Sequence, residues 1–106
     1  MADTTSTVTL QQLQGFQFDV RYADHIAPHR VDLPAPLGQT AGPSPEQALG
    51  TAVGQCLSSS LLFALRKYKQ EPGPLHTEVD VQEGRNEAGR HRVLGLQARI
   101  HLGVPA

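Results

Sequence analysis

The sequence has 106 residues and a mass of 11.4 kDa, which allows one domain and excludes most two-domain enzymes. With 9 Lys+Arg against 10 Asp+Glu the formal net charge is -1, which excludes the basic footprint of a nucleic-acid binder, and no Lys/Arg cluster marks a membrane-surface helix. The single cysteine, Cys56, excludes an intrachain disulfide framework and any cysteine-cluster zinc site.

Residues 2–7 are small and polar and are expected to fray. They carry neither the basic residues nor the apolar run of a secretory signal. No apolar run approaches the ~18 residues of a spanning helix, so the expected compartment is the cytoplasm, with no membrane partner and with the thiol reduced. Apolar residues at 39% make a packed core feasible. Charged residues at 18% and aromatics at 5% leave a chain of this size thinly stabilised, so a homo-oligomer is expected.

Val8 and Leu10, then Phe16, Phe18, Val20 and Tyr22, alternate with polar residues. Period-two alternation predicts half-buried strands over 6–13 and 16–23 joined at Gly15; one long strand with a glycine bulge is the alternative. A third strand is predicted over 26–33, stopped by Pro34 and Pro36. From Pro34 to Pro45 the density of proline and glycine predicts an ordered loop. Ser44 as N-cap, Pro45 at the first helical position and Gln47 as the capping-box partner then start a helix that runs to about Lys69. Pro72-Gly73-Pro74 ends it, with Arg66, Lys67 and Lys69 complementing its dipole. Leu49, Ala52, Val53, Cys56, Leu57, Leu61 and Ala64 recur at three and four, which predicts a mostly buried helix. Leu75, Thr77, Val79 and Val81 form the inward face of the next strand, 84–89 turns the chain, and Leu94, Leu96, Ala98, Ile100, Leu102 and Val104 share one face of the return strand. On the wet face Glu78, Asp80, Arg99 and His101 fit cross-strand charge pairing. The order β-β-β-α-β-β makes this an α+β domain, one helix on antiparallel sheet, and a partner chain is the expected cover for what that helix leaves open.

Gly50 and Gly54 lie four apart in the helix, where each glycine costs about 1 kcal/mol relative to alanine. Close approach of a second copy of the helix is the preferred reason; packing on the chain's own sheet is the alternative, and no specific role a third. Cys56 falls near the middle of the helix. It reads as a small buried apolar filler or as a nucleophile, and far from the helix N-terminus a thiolate needs a cationic neighbour. Glu46 is ten positions away, ~15 Å of rise, so the two cannot touch within one helix. His25 and His29 flank Pro28 and lack a helical metal spacing; with His76, His91 and His101 they read as surface histidines. There is no phosphate loop, nucleophile elbow or dinucleotide fingerprint, so neither cofactor nor metal is expected.

The stretch Gly42-Pro43-Ser44-Pro45-Glu46-Gln47-Ala48-Leu49-Gly50-Thr51-Ala52-Val53-Gly54-Gln55-Cys56-Leu57 resembles the G-P-S-P-E-x-L-L-x-A-x-x-x-C-L segment of OsmC-like proteins, the osmotically inducible and organic hydroperoxide resistance superfamily. Val31-Asp32-Leu33-Pro34 is similar to that family's strand ending in Asp-x-Pro, and the resemblance spans residues 8–104. It implies an intertwined homodimer with two central helices packed inside wrapped sheets. For the peroxidase members it implies a thiolate that reduces organic hydroperoxides, assisted by a glutamate and an arginine. Cys56 and Glu46 match the first two; the arginine has no clean match, Pro36 lying near its position and Arg30 being the nearby candidate. Residues 1–106 are expected to be a single OsmC-like domain without the family's C-terminal helix and strand, and hence without its resolving cysteine. Two functions are therefore carried: a non-enzymatic dimeric homolog whose interfacial cavity holds a small apolar ligand, and a one-cysteine, thiol-dependent peroxidase that reduces organic hydroperoxides.

Overall fold

The structure, a computed structural model, describes residues 4–103. Strands β1 (Thr9–Gln14), β2 (Gln17–Arg21) and β3 (His29–Val31) precede helix α1 (Pro45–Lys67), and strands β4 (His76–Arg85) and β5 (His91–His101) follow it. This is the predicted α+β order, with one helix and two antiparallel sheets. The described residues fall into two compact units divided between Pro45 and Glu46. Val104 lies outside the described residues, as does part of the segment expected to fray.

In the first unit β1, β2 and β3 form an antiparallel sheet in that order. Gly15 turns the chain with φ 54, and Gln12 Nε2 donates to its carbonyl at 2.9 Å, so two strands exist rather than one bulged strand. Strand β3 keeps only three residues of the predicted 26–33, because the Ile26 N–H donates a hydrogen bond to the Ala23 carbonyl, holding Ile26 in a turn, and Pro28 follows. The loop from Leu33 to Pro43 is organised by one carboxylate. Asp32 is 2% exposed and accepts the backbone amides of Leu33 at 2.7 Å, Gln39 at 2.9 Å and Ala41 at 3.1 Å. Gly38 passes so close that an added Cβ would overlap the Leu33 carbonyl and press on Asp32.

Burial pushes the Asp32 carboxyl up, but the amides of Gln39, Ala41 and Leu33 and the charge of Arg30 together outweigh it, leaving it below the ordinary 3.8. A depressed carboxyl contributes stability that is full above 3.8 and is lost as pH falls through the folded-state value. Asp32→Asn should lower the melting midpoint at neutral pH by roughly 5 °C or more, since three amides lose a charged acceptor. The gap between variant and wild type should close in strong acid. Asp80, also lowered, by its bond to and the charge of Arg99, titrates in both proteins and cancels in the comparison. A gap that persists unchanged under acid would show that the charge is not what orders the loop.

In the second unit α1 ends at Lys67, two residues before the predicted stop. Lys69 adopts φ 59, its amide donates to the Arg66 carbonyl at 2.9 Å, and the Gln70 amide donates to Leu65 at 2.9 Å. That bond pair is a Schellman cap, with lysine in the left-handed position glycine usually takes. Strands β4 and β5 pair from His76↔His101 to Arg85↔His91. Asn86 closes the turn by accepting the amides of Ala88 and Arg90, each at 3.0 Å. The expected charge pairing is present on the wet face: Arg99 reaches Asp80 at 2.8 Å and Glu78 at 3.8 Å, and His101 reaches Glu78 at 3.6 Å. Leu94 does not share the predicted face alternation, because the register shifts between Gln82 and Glu83 and Leu94 is the residue skipped.

The glycines of α1 face the chain's own hairpin, which corrects the preferred expectation of a second helix there. Ser58 Oγ and Thr77 Oγ1 lie 2.5 Å apart. A Cβ on Gly54 would stand 2.9 Å from Val79, and one on Gly50 3.1 Å from Val81. Four helical residues rise ~6 Å and two strand residues ~6.6 Å, so helix positions 58, 54 and 50 meet strand positions 77, 79 and 81 in step. Only glycine lets the helix approach this closely. The helix is not mostly buried, contrary to the expectation from its periodicity: Gly50 and Gly54 are its buried residues, whereas Leu49 is 40%, Leu57 46% and Phe63 77% exposed. Among the described residues Val20, 5% exposed, and Pro72 are the buried apolar side chains.

Candidate functional site

Cys56 is exposed on α1. At 100° per residue it lies about 160° around the helix from Gly54, so the packing that buries the glycines turns the thiol outward. Leu49, Cys56 and Phe63 follow one another at seven-residue intervals and fall within about 40° of one another. They form an apolar stripe with the sulfur at its middle, in the repeat with which one helix packs along another.

Glu46 stands half-buried in the first turn of α1. It meets Glu83 and His91 rather than Cys56: the carboxylate oxygens and an imidazole nitrogen of this group lie within 4.8 Å of one another. His91 Nε2 is 3.1 Å from Glu83 Oε2. Arg30 lies exposed on β3 in the other unit, opposite Asp19 in the sheet. Glu83 is not singled out by the sequence; His91 reads there as a surface histidine and Asp32 as part of the Asp-x-Pro resemblance. A signal for Glu83 was present: it continues the alternation of Val79 and Val81, as Glu46 continues the four-residue spacing of Gly54 and Gly50.

Beside the C-terminal half of α1 a groove of about 390 Å³ is lined by Ser58, Ser59, Leu62, Arg66, Pro74 and Leu75 among others. Its volume is in the range that accepts a small molecule. By length and composition α1 is also long and apolar enough to cross a membrane, although polar residues interrupt it and no uninterrupted apolar run approaches that length. Its glycine face is packed on a hairpin bearing Glu78, Asp80 and Arg99, and carrying those charges into hydrocarbon would cost several kcal/mol.

Two solved structures share this fold. An OsmC-like protein of unknown function from Vibrio cholerae superposes with a TM-score of 0.78 at 14% identity, over 97% of this chain and 78% of its own. The chain has the OsmC-like fold. A Psychrobacter arcticus protein named for osmotic stress induction and a detoxification response superposes with a TM-score of 0.79 at 19% identity, over 100% of this chain and 74% of its own. No family profile matches the sequence, and no curated protein sequence matches it. The OsmC-like resemblance of the Pro45-Glu46 to Cys56 segment is thus matched at the level of the fold, where α1 carries both residues on one unbroken helix.

Proposed function

We propose that this OsmC-like chain works in the cytoplasm as a homodimer joined along the outward stripe of α1, and that the dimer binds a small apolar ligand without catalysing a reaction. The observation that carries this reading is the stripe itself. Leu49 and Phe63 stand 40% and 77% exposed on either side of the exposed Cys56, and covering each of the two stabilises the assembly by roughly 1–2 kcal/mol. A contiguous apolar face of this kind marks an interaction site. Neither partner expected of a reactive thiolate stands beside Cys56 within the second unit: Glu46 lies ten positions away along α1, next to Glu83 and His91.

The exposure of Cys56 favours one second reading, the one-cysteine peroxidase. Its thiolate would attack the terminal oxygen of an organic hydroperoxide, break the O–O bond, release the alcohol after protonation and become a sulfenic acid. Two equivalents of an external thiol would then restore Cys56, leaving a disulfide and water. Sedimentation at micromolar concentration should give twice the chain mass. Consumption of cumene hydroperoxide with excess small thiol should be the same for wild type and Cys56→Ser. A monomeric mass overturns the dimer, and turnover lost in Cys56→Ser replaces the binding reading with the peroxidase.

A further inference from the structure

We propose that Glu46, Glu83 and His91 form a site for a divalent cation of the zinc class. The steps that pair Ser58 with Thr77, Gly54 with Val79 and Gly50 with Val81 continue by one more step, to Glu46 opposite Glu83. The apolar contact between helix and strand thus ends in two carboxylates on facing elements. The skipped Leu94 then brings His91 to the same side: without that shift Arg92, an alternate position along, would take its place. A bulge that re-aims a side chain in this way is frequent beside functional sites.

The donor set is two carboxylate oxygens and one imidazole nitrogen, drawn from three separate elements. Oxygen and nitrogen bind zinc at 2.0–2.2 Å, which places tetrahedral ligands about 3.4 Å apart. The three groups already lie within 4.8 Å, and His91 Nε2 with Glu83 Oε2 at 3.1 Å, so small side-chain rotations close the shell. Among the described residues neither Glu46 nor Glu83 makes an ion pair with a lysine or arginine; Glu83 pairs with His91 alone. Two carboxylates on facing elements with one imidazole beside them leave negative charge that a dication neutralises. The other histidine group, His76 and His101 beside Glu78, is a weaker candidate, because the Arg99 guanidinium occupies that carboxylate at 3.8 Å. The site is independent of whether Cys56 reacts.

The test uses the full chain freed of metal by chelation and titrated with zinc chloride by calorimetry, with cobalt absorption as a second readout. One equivalent per chain is expected, with tetrahedral cobalt bands and a melting midpoint raised by several degrees. Glu83→Gln and His91→Gln, both at exposed positions, should each weaken binding tenfold or more, whereas a His76→Gln/His101→Gln variant should bind as wild type does. Binding lost only in the His76/His101 variant would move the metal to that group and overturn the proposal. Absence of binding at millimolar zinc in folded wild type would overturn it as well.

Discussion

Gly54→Leu is expected to destabilise the fold by about 3 kcal/mol or more, the upper range for forcing a large side chain into a filled space. The Cβ alone would stand 2.9 Å from Val79 Cγ2, and the rest of the leucine has no volume to enter while the helix stays on the strand. Against a total stability of ~5–15 kcal/mol this is a large fraction. Thermal unfolding checks it, and a double-mutant cycle assigns the cause. Gly54→Ala should be rescued by Val79→Ala, with a coupling of about 1 kcal/mol, because truncating the valine opens the space the new methyl needs. Unchanged melting in Gly54→Leu together with loss of the dimer would return the glycines to an interface between chains.

Leu49→Lys combined with Phe63→Lys should dissociate the dimer while leaving the chain folded. Both residues stand on the outward face of α1, exposed by 40% and 77%, so an isolated chain solvates the new charges at little cost. Two chains pressed together along that face would desolvate four ammonium groups at several kcal/mol each, raising the dissociation constant by at least ~10³. Sedimentation equilibrium reads the mass, and circular dichroism shows that the helix persists. A double variant that stays dimeric would place the interface elsewhere.

Much of this architecture is legible in the chain itself. Ser44-Pro45 marks the start of α1, and the alternation of Leu75, Thr77, Val79 and Val81 against His76, Glu78 and Asp80 marks β4 with its dry and wet faces. The helix stops two residues before the end its sequence predicts, because a left-handed lysine at Lys69 ends it without the glycine that usually announces such a cap. Of the candidate residues, Cys56 and Glu46 were both found on α1 as expected. What Glu46 faces depends on where β4 and β5 return in space, and no local pattern encodes a contact between positions 46, 83 and 91.

Element order, the helix start, the hairpin and the position of the lone thiol all follow from local patterns in the chain. Each depends on neighbours within a few residues, where turn chemistry and side-chain period act directly. Which side of α1 packs and which faces outward depends on long-range packing. Glycines at four-residue spacing permit close approach by any backbone; that Val79 and Val81 fill the space, and so turn Leu49, Cys56 and Phe63 outward, is fixed by a strand more than twenty residues further along the chain. The same long-range match sets two carboxylates and an imidazole together beyond the last valine, a juxtaposition of charge that arises only when helix and hairpin are brought into register.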